Sequence, residues 1–148
     1  GSLEITRVRL SEVALQARFK LEDDDLDCVR AADEGDIEAQ CDLGLLLLSH
    51  GMETEACGWF QKAARHFHPE AMQWLGRCMI SGWGTAPDRE AGITWLRRAA
   101  ARGHATAGHM VAWIDTHPGP APEGAELEAV LDGIEQKVIL GALRETAE

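Results

Sequence analysis

Six histidines, four cysteines and a Gly82-Trp83-Gly84 turn are the features of this chain that could carry chemistry. The histidines would suit a metal only if two of them shared one helix face. His66 and His68 are two apart and His104 and His109 five apart, so neither pair has the i, i+4 spacing that brings two imidazoles together. His68 and His104 fall in the same inter-helix turn, which makes a structural role the simpler one. Gly82-Trp83-Gly84 resembles a fragment of a phosphate loop, but no strand precedes it and no lysine follows where one is needed. Ser2, Ser11, Ser49 and Ser81 fit neither Ser-x-x-Lys nor Gly-x-Ser-x-Gly. The expectation is no catalysis, no cofactor and no metal. A small hydrolase pairing a histidine with a carboxylate stands as the disfavoured alternative.

The charge narrows the possible partners. The net charge is −11, and residues 21–60 hold 12 acidic side chains against 1 basic one. Residues 61–120 carry 7 basic and 4 acidic side chains. Phosphate binding needs clustered cations, so nucleic acid is not the expected ligand. The longest apolar run, residues 43–48, is far too short to cross a bilayer. No secretory leader is visible.

Any site must be positioned by helices. Tyrosine is absent and aromatic residues make up 5% of the chain, which favours helical packing rich in alanine and leucine. Leu10, Val13, Ala14, Ala17 and Leu21 form one apolar stripe, predicting a helix near the start. Asp23, Asp24 and Asp25 open a second helix, which stops at Gly35. Asp36 caps a third that ends at Gly51, and a fourth opens at Met52 or Thr54. Pro69 suits the first turn of the fifth. Asp88 caps the sixth, and Pro118 stops the seventh. A final helix, from 125 to about 146, aligns Leu127, Leu131, Ile134 and Val138 on one face.

These helices repeat. Ala39, Leu43 and Gly44 recur 32 residues on as Ala71, Leu75 and Gly76, and 36 further on as Ala107, Val111 and Ala112. Trp59, Ala63 and Ala64 recur 36 residues on as Trp95, Ala99 and Ala100. Ala31, Ala32 and Gly35 echo Ala99, Ala100 and Gly103. The pattern of Ala71, Leu75-Gly76, Met79, Gly82, Gly84, Asp88, Trp95, Ala99-Ala100 and Gly103 resembles the Sel-1-like repeat family, a relative of the tetratricopeptide repeats. Two departures stand out. Leu47 and Met79 replace the usual aromatic residue, and Phe67 replaces a terminal glycine, predicting a distorted turn there.

The resemblance implies an all-α, right-handed superhelix of helix pairs. Residues 24–117 form the solenoid: a half unit at 24–36, full units at 37–68 and 69–104, and a half unit at 105–117. Capping helices fill 3–23 and 125–148, with a linker turn at 118–124. Gly44 and Gly76 would let neighbouring helices approach, and Trp59 and Trp95 would fill the space between units. A cysteine-rich secreted branch of the family carries regularly recurring disulfides. Cys28, Cys41, Cys57 and Cys78 do not recur in that way, so four buried free thiols are expected. They would suit a reducing compartment, the cytoplasm; the periplasm is the alternative had a leader been removed. Some relatives were proposed to bind or cleave β-lactams, but no residue here supports that.

The family places its binding groove on the first helices, between the core positions. On this chain that strip is Glu38, Asp42, Leu45 and Leu48, then Gln73, Trp74, Arg77 and Ile80, then His109, Met110 and Trp113. The resemblance therefore implies a non-catalytic adaptor for a peptide or helix of another protein, in bacterial signalling or regulation. Trp74, Ile80 and Trp113 would anchor the ligand, and Arg77 would select a carboxylate. Three alternatives stay open. The C-terminal helix could fold back and fill the strip, a second copy could dock there, or the acidic face of residues 22–42 could bind a basic partner.

Overall fold

The computed structural model describes residues 20–141. The capping helix expected at 3–23 lies almost wholly outside them. The described residues form seven helices and no strand: α1 (Asp23–Asp33), α2 (Ile37–Ser49), α3 (Glu53–Ala64), α4 (Pro69–Ser81), α5 (Arg89–Ala101), α6 (Ala105–Thr116) and α7 (Gly124–Ile139). The last helix stops short of the expected residue 146, with Gly141 in the left-handed region at φ 77°.

Local chemistry sets these boundaries. Asp36 and Asp88 accept from the backbone N–H of Ala39 and Ala91, three residues on. His68 and His104 do the same through Nδ1, accepting from Ala71 and Ala107. At the other ends, Gly35 and Gly103 turn the chain at φ 105° and 89°. The next N–H groups, of Asp36 and His104, donate back to Ala31 and Ala99 carbonyls and close both turns. Phe67 adopts the same left-handed conformation at φ 62°. The chain turns the same way there, although a bulky side chain is disfavoured at that φ. The turn lacks the closing bond that Asp36 and His104 make: the Phe67 N–H donates to Ala64, and His68 makes no such bond to Ala63.

Successive helices pack as hairpins, α2 with α3 and α4 with α5, and each hairpin leans on the next. The α4–α5 pair is closest where Gly76 faces Gly92. A Cβ on Gly76 would lie 2.7 Å from the Gly92 carbonyl oxygen, and one on Gly92 would lie 2.6 Å from that of Gly76. Gly44 faces the Phe60 ring instead.

Two expectations need correction. Trp59 and Trp95 are only half-buried, with Lys62 and Arg98 stacked over their rings at 5.2 and 4.8 Å. The residues that fill the core are their neighbours Phe60 and Leu96, both fully buried. Phe60 also stacks on Trp74, with ring centroids 5.8 Å apart. The second correction concerns the thiols. Cys57 and Cys78 form a disulfide, Cα atoms 6.1 Å apart, that ties α3 of one unit to α4 of the next. Only Cys28 and Cys41 are free, so the chain does not carry the four free thiols expected of a reducing compartment.

Candidate functional site

The wall built by the first helices α2, α4 and α6 carries most of the predicted site, and α7 returns to lie on its second half, against α4 and α6. Leu127, Leu131 and Ile134 of α7 enter a cluster with Ile80, Ile93, Leu96 and Met110. Removing three such side chains from water favours docking by about 5–9 kcal/mol before ordering costs. Trp113 packs partly buried against this cluster and stacks on His117, centroids 4.3 Å apart.

Arg77 lies at the centre. Its side chain is 2% exposed, its guanidinium sitting 4.2 Å from the Trp74 ring centroid. Nε and Nη2 donate to the two oxygens of Glu128 at 2.8 and 2.9 Å, a forked pairing that suits guanidinium and carboxylate. Nη1 donates to Glu135, and Asp132 lies 3.6 Å from Nη2. The ion pairs hold the Arg77 pKa above its ordinary value, against burial, which favours the neutral form. Glu128 nonetheless moves upward. Burial is the largest cause, and the neighbouring Asp132 and Glu135 add to it, outweighing Arg77. Three carboxylates share one cation, so raised values on both partners are consistent.

Next to Arg77, Trp74 Nε1 donates to Glu70 at 2.6 Å. His104 accepts at Nδ1 as a helix cap, which leaves Nε2 to donate to the same carboxylate at 2.7 Å. Burial alone would raise Glu70, but the bonds from His104 and Trp74 outweigh it and hold its carboxyl below the usual range. His68 repeats the device, its Nε2 lying 3.0 Å from Glu38. The two histidines of the inter-unit turns are thus caps pinned by carboxylates.

The predicted site residues divide into three groups. Arg77, Ile80 and Met110 come together beneath α7 with Trp113 half-buried against their cluster, while Trp74 supports Arg77 from the upstream core, where it stacks on Phe60. Arg77, expected to select a partner's carboxylate, is occupied by carboxylates of its own chain. Ile80 and Met110 are fully buried, so they are core in this arrangement rather than open anchors. Gln73 is buried like its equivalent Cys41 and presents no surface, while His109 is half-buried. Asp42 and Leu45 lie upstream of α7, exposed and half-buried respectively. There a cleft of about 340 Å³ is lined by Glu38, Asp42, Glu70, His68, Arg102 and His104, among others. Burial and then Glu38 raise the Asp42 pKa, against His68. Glu128, Asp132 and Glu135 were missed in the sequence. Each directly follows an apolar residue of the α7 stripe, and that pairing was the available signal.

Chemistry at the free thiols is disfavoured. Burial pushes Cys28 up to about 11 and Cys41 up to about 12, with neighbouring carboxylates adding to both. Neither is a thiolate nucleophile at neutral pH. Among the described residues no group of histidine, cysteine and carboxylate side chains is arranged to hold a metal, and no helix is long and apolar enough to cross a membrane.

The Sel1 repeat pattern matches residues 37–66 and 69–104. These two matched units support a Sel1-like repeat family for the chain. The matched segments are the α2–α3 and α4–α5 hairpins. Sel1 repeats are in general protein–protein interaction modules and are typically non-catalytic. No curated protein matches this chain beyond chance.

Proposed function

We propose that this Sel1-repeat chain is a non-catalytic adaptor that holds a helix of a partner protein along its concave wall of first helices. The observation that carries the reading is Arg77. A guanidinium buried on a tryptophan face, on the same helix as the buried Ile80, suits a carboxylate projecting from an amphipathic helix. The wall already holds such a helix in α7. Trp74, Trp113 and the upstream Asp42 and Leu45 would extend the contact. The disulfide between Cys57 and Cys78 favours an oxidising compartment over the cytoplasm.

The test is photo-crosslinking in the native host, with the reactive group placed at Asp42, Leu45 or Trp113 on the wall, or at Lys62 on α3. A partner protein captured at the wall positions and not at Lys62 supports the reading. Capture at Lys62 alone would overturn it. A crosslinked second copy would identify self-association through the wall.

A second reading has its own observation. Asp23, Asp24, Asp27, Glu34, Asp36, Glu38 and Asp42 are all exposed on α1, α2 and their connection, a surface suited to a basic partner. Salt separates the two. Binding through the acidic face falls steeply between low and physiological ionic strength, whereas binding through the apolar wall changes little.

A further inference from the structure

We infer that α7 is a displaceable stand-in for the partner's helix, and that the partner presents an acidic amphipathic helix in the same register. The inference rests on the wall reading above. The register is visible in α7 itself. Each residue it buries is followed by a carboxylate: Leu127-Glu128, Leu131-Asp132 and Ile134-Glu135. The apolar member of each pair enters the cluster around Ile80 and Met110, and the acidic member lies at Arg77. A ligand that repeats these pairs would satisfy both the apolar wall and the buried guanidinium.

Three features hold α7 less firmly than the site allows. The contact is overcharged, with three carboxylates on one cation, and Glu128 responds with a raised pKa caused first by burial and then by Asp132 and Glu135. Gly133 interrupts the middle of the helix. It is exposed, and a Cβ there would meet nothing within 4 Å, so packing does not require glycine. Finally, the N-cap Glu123 makes no side-chain capping bond, whereas Asp36, His68, Asp88 and His104 all do. Tethering gives α7 a high effective concentration at the wall. These weaknesses lower that advantage to where a capped, uninterrupted helix that repeats the same apolar–acidic pairs can replace it.

A dye-labelled synthetic peptide of residues 123–141 is the probe, titrated by anisotropy into the native chain, Gly133→Ala and Gly133→Pro. Gly133→Ala strengthens the resident helix, so the peptide should bind about fivefold more weakly than to the native chain. Gly133→Pro breaks that helix and should bind the peptide more tightly than the native chain. Should the proline variant fail to fold, the alanine variant still decides. Changing Glu128 and Glu135 to Gln and Asp132 to Asn in the peptide should lower its affinity at least tenfold. Equal affinity for the native chain and the alanine variant would show that α7 does not compete. Undiminished binding of the neutral peptide would remove the acidic requirement. No peptide binding to any chain, with host crosslinks still forming at Asp42 or Leu45, would leave the wall reading standing and discard displacement.

Discussion

The two Sel1 repeats are built alike but end in different situations. In the first, the wall positions are Asp42, Leu45 and Leu48, exposed or half-buried and set in an acidic surface. Their equivalents 32 residues on are Trp74, Arg77 and Ile80, all buried, with α7 laid across Arg77 and Ile80. The first unit closes on Phe67 in a glycine conformation, the second on Gly103. The first packs its helices through a glycine against a phenyl ring, the second through two glycines back to back. A shared repeat pattern thus specifies the hairpin, while the residues between its core positions decide whether the wall is open or covered.

Substitutions can break this comparison, and the largest effect concerns which residue fills each hairpin. Phe60→Ala and Leu96→Ala should each cost about 3–5 kcal/mol in chemical denaturation. Trp59→Ala and Trp95→Ala should cost about 1–2 kcal/mol, since half-buried rings under a cation lose less. A larger loss at the tryptophans would reverse the assignment of core and surface. The disulfide comes next. Replacing Cys57 with Ala opens a link across 21 residues and should cost about 3 kcal/mol. Mass spectrometry after alkylation should find two modified cysteines without reductant and four with it.

Gly76→Ala drives a Cβ against a backbone carbonyl and should cost about 1–3 kcal/mol. Gly44→Ala should be milder to the extent that the Phe60 ring can move, and equal costs would show that it cannot. Phe67→Gly should raise stability by about 1 kcal/mol by relieving the left-handed backbone, and Gly103→Phe should do the opposite. The smallest effect is pH-dependent. Because the Glu70 pKa is lowered by folding, its ionised form stabilises the chain at neutral pH, and that contribution disappears as pH falls through the folded pKa. Glu70→Gln should therefore cost about 1 kcal/mol at neutral pH, with the gap to the native chain closing in acid. A gap that persists under acid would mean the charge is not what matters.

Where sequence reasoning erred, it erred by one residue or at long range. The tryptophans have the spacing of core residues, but the inward register belongs to Phe60 and Leu96. Their period is identical, so spacing could not choose between them. Gly92 carries no mark in the repeat pattern, yet it completes the close contact with Gly76. Phe67 stands where the repeat has glycine, and it takes the repeat's left-handed φ without the closing bond that Asp36 and His104 make in the equivalent turns.

The sequence alone determined the seven described helices, the Asp36 and Asp88 caps and the order of the repeats. Those features depend on hydrogen bonds and apolar spacing within three or four residues, and neighbouring residue types report them directly. Tertiary structure alone decided that Cys57 meets Cys78, and that Arg77 finds Glu128 and Glu135, 51 and 58 residues away. Such pairings depend on the angle at which hairpins stack and on the direction in which the linker releases α7. Both are properties of the assembled core, and no single stretch of chain records them.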